Sequence, residues 1–349
     1  SAVWSSNELD WSGGIAWGDY DNDGDLDLAV GNHFQPNRLY RNTGETLTAS
    51  AIWSSSESDD TFAVAWGDYD GDGDLDLAAG NDSYPNRIYR NDGENLTGSA
   101  VWSSNEVDRT SDISWGDYDN DGDLDLLIAN AIEGPNRLYG NEDGNLTTSA
   151  VWSSNETDDS SSIAWGDFDN DGVLDFAVGN GMQPITLYHN EGIAITHNAV
   201  WTSSEMNGAR SIAWGDYDGD GDLDLIVGNG YYDSSIPSRL YRNDSGVLTT
   251  VAVWSSTEAN DETWSVAWGD HDGDGDLDLA TGNSSGPNRL YRNNDGTLSA
   301  TAVWNSSEVD WTTSIAWGDY DGNGYVDLAV GNGLSSGQRN RVYCSDGSG

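Results

Sequence analysis

Carboxylates recur in this chain at a spacing that can hold a cation. Asp19, Asp21, Asp23, Asp25 and Asp27 alternate along a short run bent at Gly24. Side-chain oxygens at positions 1, 3, 5 and 9 of such a run, with the backbone carbonyl at 7, can converge on one hard ion, and the glycine permits the bend. The run returns as Asp68, Asp70, Asp72, Asp74 and Asp76, and as Asp117, Asp119, Asp121, Asp123 and Asp125. It returns again as Asp216, Asp218, Asp220, Asp222 and Asp224, and as Asp270, Asp272, Asp274, Asp276 and Asp278. The fourth copy reads Asp167, Asp169, Asp171, Val173 and Asp175, with the valine at the position that offers only its carbonyl. The seventh reads Asp319, Asp321, Asn323, Tyr325 and Asp327. Having lost a charge at position 5, it is expected to be the weakest site. The expected cofactor is Ca²⁺, up to seven ions, one per loop. Without an ion, the crowded carboxylates would repel one another at neutral pH. All ligands lie in one short hairpin, so the expected role of the ion is structural.

Composition agrees. The 61 acidic residues comprise 48 Asp and 13 Glu, and 32 of the Asp lie in the seven runs. Seven divalent ions would bring the formal charge of -48 to about -34. A surface that acidic disfavours nucleic acid and anionic membrane as partners. Lys is absent and all 13 basic residues are Arg, which excludes Schiff-base and P-loop lysine chemistry. The lone Cys344 allows no intramolecular disulfide. No apolar stretch is long enough to span a bilayer. The chain starts at Ser1 without a signal peptide and is read as the mature or excised part of an exported protein, secreted or displayed at a cell surface. A monomer is expected.

The elements that must position these runs repeat with them. Trp17, Trp66, Trp115, Trp165, Trp214, Trp268 and Trp317 each stand two residues before a run, with a Gly between. A second series, Trp4, Trp53, Trp102, Trp152, Trp201, Trp254 and Trp304, keeps nearly the same interval. Each unit of roughly 50 residues holds four short runs of strand formers bounded by Gly, Asn, Asp or Pro. In the first unit these are 15–19, 26–31, 38–42 and 47–54. Four antiparallel strands repeated seven times predict an all-β fold, a seven-bladed β-propeller filling residues 1–349 as one domain. Units start near 15, 64, 113, 163, 212, 266 and 315. Coils of a linear solenoid, the competing architecture, are usually shorter. Residues 1–6 match a fourth strand, and the chain ends on a third, so the N-terminus is expected to complete the last blade and close the ring.

The segment from Ala16-Trp17-Gly18-Asp19 through Asp27-Leu28-Ala29-Val30-Gly31-Asn32 resembles an FG-GAP or VCBS-type repeat, the unit of the integrin alpha-subunit propeller and of many bacterial surface proteins. The resemblance covers all seven units. It implies a propeller with calcium in the hairpin between the first two strands of a blade. More loosely, the chain is similar to seven-bladed fungal and bacterial lectins. It departs from integrins in carrying a loop in every unit.

Propeller topology puts the loops between strands two and three, and between blades, on the face away from these hairpins. There the units differ most. His33, Phe34, Tyr84, Tyr231 and Tyr232 fall in the first class of loop. Trp11, Phe62, Arg109, Arg210, Trp264 and Trp311 fall in the second. Aromatics beside Asp, Asn and Arg suit sugar faces and hydroxyls, or a protein contact. A carbohydrate or extracellular protein ligand is therefore expected on this face, with a passive scaffold as the bland alternative. His33, His189, His197 and His271 form no recognisable metal or triad pattern, and no nucleophile elbow is present. No enzyme is expected, although some propellers with such repeats are polysaccharide lyases. The repeated Trp are assigned to packing between blades. The repeated Glu8 is expected to pair with Arg38.

Overall fold

The computed structural model describes residues 3–44, 46–93, 95–132, 134–192, 194–205, 208–230, 236–258, 261–333 and 338–345. Among these, strands are the only regular elements, and they form seven four-stranded antiparallel sheets and one small hairpin, Asn293–Asn294 with Thr297–Leu298. Blade one is Ser12–Gly18, Asp27–Asn32, Arg38–Tyr40 and Trp53–Ser54, in that order. Blades two to six repeat it, starting at Thr61, Thr110, Ser160, Ala209 and Thr263. Blade seven takes Thr312–Gly318, Asp327–Asn332 and Arg341–Tyr343 from the C-terminal end and Trp4–Ser5 from the other. Trp4 pairs with Val342 and Ser5 with Arg341, so the N-terminal strand closes the ring.

The first strands of adjacent blades pack on one another around the whole circle, which makes them the innermost strands. A β-bulge interrupts the start of each, as between Ser12 and Ile15. The second strands are buried throughout because a blade lies on either side of them. Their continuous apolar runs, such as Leu28-Ala29-Val30, reflect that. The outermost strand is only two residues long, shorter than 47–54. Leu47 instead forms an isolated bridge with Asn42.

Both Trp series join blades. Trp66 Nε1 donates to the Ala16 carbonyl of the blade before it at 3.3 Å, and its ring lies against Gly18, where any Cβ would meet it at 2.6 Å. That contact explains the Trp-Gly pair. Trp4 packs edge-on against Tyr40 of blade one at 5.3 Å, and Trp53 meets Tyr89 of blade two in the same way at 5.2 Å. Such pairs contribute about 0.5–1.5 kcal/mol beyond the area they bury.

One expected pairing is corrected. Glu8 does not hold Arg38. Its Oε2 accepts the Tyr40 hydroxyl at 3.2 Å and its Oε1 the Ala51 amide at 3.2 Å. Arg38 binds Asp10 at 2.7 Å. The buried phenol needs an acceptor, and Glu8 reaches it across the blade boundary. Blade four shows the consequence: Thr186 replaces the arginine, and burial, helped by Glu156, raises the pKa of Asp158.

Candidate functional site

Each acidic run forms the hairpin between the first and second strands, at the end where Gly18 pairs with Asp27. Glycine at position 6 has positive φ in every loop, from +89° at Gly172 to +99° at Gly122, so only glycine fits without strain. Position 4 is also left-handed, which explains its alternation between Asn22, Asn120 or Asn170 and glycine.

The carboxylates divide their work. Asp19, at position 1, accepts the Asp23 and Gly24 amides at 3.0 and 2.9 Å and so shapes the turn. Asp23 accepts the Asp25 amide at 3.0 Å. The side chain at position 7 turns outward: Asp74 accepts from Asn22 of the neighbouring loop at 2.8 Å. That leaves its carbonyl as the group available to an ion. Asp27, at position 9, is fully buried and accepts the Tyr20 and Asn42 amides at 3.1 and 2.7 Å. Burial pushes its carboxyl up to about 7, and Asp76, Asp125 and Asp224 likewise.

Position 3 is different. Asp21, Asp70, Asp169 and Asp218 each keep Oδ1 buried with no hydrogen-bond donor. Burial, reinforced by neighbouring carboxylates, raises the pKa of Asp21, Asp70, Asp119, Asp218 and Asp272. Oxygens of Asp19, Asp21 and Asp27 lie within 4.8 Å of one another, as do those of Asp68, Asp70 and Asp76. An all-oxygen set with orphaned buried acceptors fits a hard divalent cation.

The residue after the third-strand Tyr modulates this charge, which the sequence reading did not foresee. Arg41 Nη2 lies 2.6 Å from Asp21 and 3.2 Å from Asp23, and Arg292 contacts Asp272 and Asp274. Blade three has Gly140 there, and blade four His189. His189 thus enters a carboxylate cluster, contrary to the expectation that no histidine belongs to a metal pattern. Its signal was available: it interrupts a column of arginines.

At the opposite end of the first strands, where Ser12 pairs with Asn32, a bowl of about 340 Å³ opens on the propeller axis. Trp11, His33, Phe34, Phe62, Arg109, Arg210 and Trp264 all line it. Trp311 packs edge-on against Trp264 at 5.9 Å, behind the wall. Tyr84 is exposed but lies outside the bowl, and Tyr231 and Tyr232 fall outside the described residues. Arg210 lies over the Trp264 ring, 4.2 Å from its centre. Arg109 grips Asp82 through Nε and Nη2 at 3.0 and 2.8 Å. His33 Nδ1 lies 2.6 Å from Asp60, with its ring between Trp11 and Phe62.

Sequence reasoning missed the acidic half of this lining. Asp60, Asp82 and Asp159 contribute to the bowl, and Asp112 lines the narrower channel beneath it. Asp112 accepts the Ile163 and Ile113 amides at 2.9 Å each and the Ser162 hydroxyl at 3.0 Å. Burial outweighs these bonds and pushes its carboxyl up to about 6.

Comparisons with known proteins agree with this architecture. A family model described as FG-GAP-like repeat matches residues 19–79, 69–128, 117–178, 174–227 and 270–330. Another, FG-GAP repeat, matches 208–251. No curated protein matches the sequence. Among solved structures, BBS1N in complex with ARL6DN, soaked with lead, is similar, with a TM-score of 0.68 and 13% identity over 100% of this chain and 96% of that one. Raptor of Chaetomium thermophilum is similar with a TM-score of 0.66 and 12% identity over 99% of this chain and 28% of that one. Identities this low carry the fold alone. The family matches reach all seven acidic loops, and the chain belongs to the FG-GAP repeat family.

Proposed function

We propose that this protein is an extracellular, calcium-stabilised binding module that takes a carbohydrate in its axial bowl and performs no catalysis. The general class is given by the family, whose propeller is a ligand- or protein-binding fold. One observation carries the finer reading. Seven residues chosen only because they break the blade-to-blade pattern line a single bowl. Its volume lies in the lower part of the roughly 300–1,000 Å³ range of small-ligand sites. Trp11, Phe62 and Trp264 offer apolar faces for a sugar ring, and Arg109, Asp82 and Asp159 offer partners for its hydroxyls.

Calcium is supported by the orphaned oxygens at position 3 and by the oxygen-only donor sets. Bowl and loops stand at opposite ends of a seven-residue strand, roughly 20 Å apart. The ion would therefore hold the blade without touching the ligand. Asp19, Asp21, Asp23 and Asp27, with the carbonyl of Asp25, would hold it in blade one.

A protein ligand is the second reading, and a specific observation favours it. Phe34, Ile132 and Met182 are each more than half exposed on the loops between second and third strands of blades one, three and four. Phe34 and Ile132 also sit at φ +54° and +50°, costly for a bulky and a β-branched residue. Screening against glycans and polysaccharides in millimolar calcium, then with chelator, separates the two. Binding that free sugar competes away supports the lectin. A folded protein that binds no glycan points to the protein partner.

A further inference from the structure

We propose that the blade-four loop is a site for a borderline transition metal of the zinc class, ligated by His189 together with Asp169 and Asp175. This rests on the reading that the loops hold cations, but it concerns one loop with a donor set of its own.

The position after the third-strand Tyr decides what faces each loop. Arg41 in blade one places a fixed positive charge against Asp21. In blade four that place is taken by an imidazole, which can offer a lone pair instead of a charge. His189 Nδ1 lies 2.9 Å from Asp175 Oδ1 and 3.6 Å from Asp169 Oδ2. Donors about 2.1 Å from a tetrahedral ion stand about 3.4 Å apart, and the two distances straddle that value. One donor atom from each of the three residues fits within 4.8 Å. Asp169 Oδ1 is buried with no hydrogen bond, so acceptor capacity remains at the cluster. The Phe168 ring packs edge-on against the imidazole at 6.0 Å and fixes its plane.

Calcium takes six to eight oxygen ligands, and an imidazole nitrogen is a poor substitute for one of them. Zinc accepts a mixed nitrogen and carboxylate set with four ligands, leaving one place for water here. Blade six does not offer the same site. There His271 sits at position 2 with Nδ1 against Asp278, and Arg292 occupies Asp272. Cys344, clustered with Asp321 and Asp327, and His271, clustered with Asp272 and Asp278, are further non-oxygen donors to control for.

The test is calorimetric titration of the calcium-loaded protein with Zn²⁺, together with Co²⁺ absorption, in a Cys344→Ser background. One zinc per chain is expected, with a Co²⁺ visible band characteristic of low coordination number. His189→Arg installs the residue that four other blades carry at this place, so the fold should tolerate it. It should lower zinc affinity by more than the roughly 10–100-fold seen on losing an outer-shell partner. His189→Gln should do the same without adding charge. Zinc binding unchanged in both variants, or no zinc uptake by the parent, would overturn the proposal. Calcium uptake by the remaining loops is read in a separate titration, and its absence would overturn the calcium reading alone.

Discussion

The Asn91 side-chain amide of blade two donates to the Tyr20 carbonyl of blade one at 2.6 Å. Tyr20 is position 2 of the first acidic loop, and the backbone N–H of Asn91 donates to Asp76 of the second loop at 2.8 Å. One buried residue thus couples two neighbouring loops, the first through its side chain and the second through its backbone. Asn42, Asn141, Asn190, Asn243 and Asn293 make the equivalent bond to the preceding blade. The order of each loop is therefore also the cohesion of the ring.

Asn91→Ala should destabilise the protein by about 1–3 kcal/mol, because it strands the buried Tyr20 carbonyl. Chemical denaturation measures this. Loss of no more than a few tenths of a kcal/mol would show that the carbonyl finds another donor.

Chelation should lower the melting temperature, and the loops should fill in an order set by their neighbours. Blade three, with Gly140 and no arginine against its carboxylates, should bind calcium more tightly than blade one, where Arg41 already neutralises Asp21. Arg41→Gly should raise the affinity of that loop severalfold, read by calorimetry. An unchanged isotherm would mean that the arginine swings away at no cost.

Asp112 gives a pH dependence distinct from the loops. Its folded-state pKa, about 6, lies above the unfolded value near 3.8. The folded protein therefore holds this proton more tightly, and the stabilisation is complete below about pH 4 and lost as pH rises through about 6. Asp112→Ser places there the residue found at Ser162, Ser211, Ser265 and Ser314 in four of the other six blades. Relative to the parent, this variant should gain about 1–2 kcal/mol between about pH 4 and pH 7, after allowing for solvent access to the channel. A stability difference flat with pH would contradict the assignment.

Removing residues 1–6 deletes the strand that pairs Trp4 with Val342 and the packing of Trp4 on Tyr40. Loss of a buried Trp alone costs about 3–5 kcal/mol, and an open ring should add to that. Unchanged melting would mean that closure contributes nothing.

Much of this was legible in the sequence because seven copies make a pattern visible that one copy hides. The Trp series, the acidic runs and the N-terminal strand all appear as columns, and columns give blades. The bowl was legible only as a list of exceptions, since which of them meet depends on ring closure. Asp60, Asp82 and Asp159 stayed hidden because one more Asp in an Asp-rich chain carries no signal. The Glu8 pairing failed for a related reason. Glu8 and Asp10 stand two residues apart, and only the geometry of the blade boundary gives the first to Tyr40 and the second to Arg38.

The most direct test of the account compares glycan binding by the parent protein and Trp264→Ala, both calcium-loaded and both shown to be folded. The account predicts that the parent binds at least one glycan competed by free sugar, and that loss of this bowl-lining ring weakens binding by at least about tenfold, in line with a central contact worth more than about 1.4 kcal/mol. Glycan binding that persists unchanged in Trp264→Ala would contradict the axial bowl as the binding site.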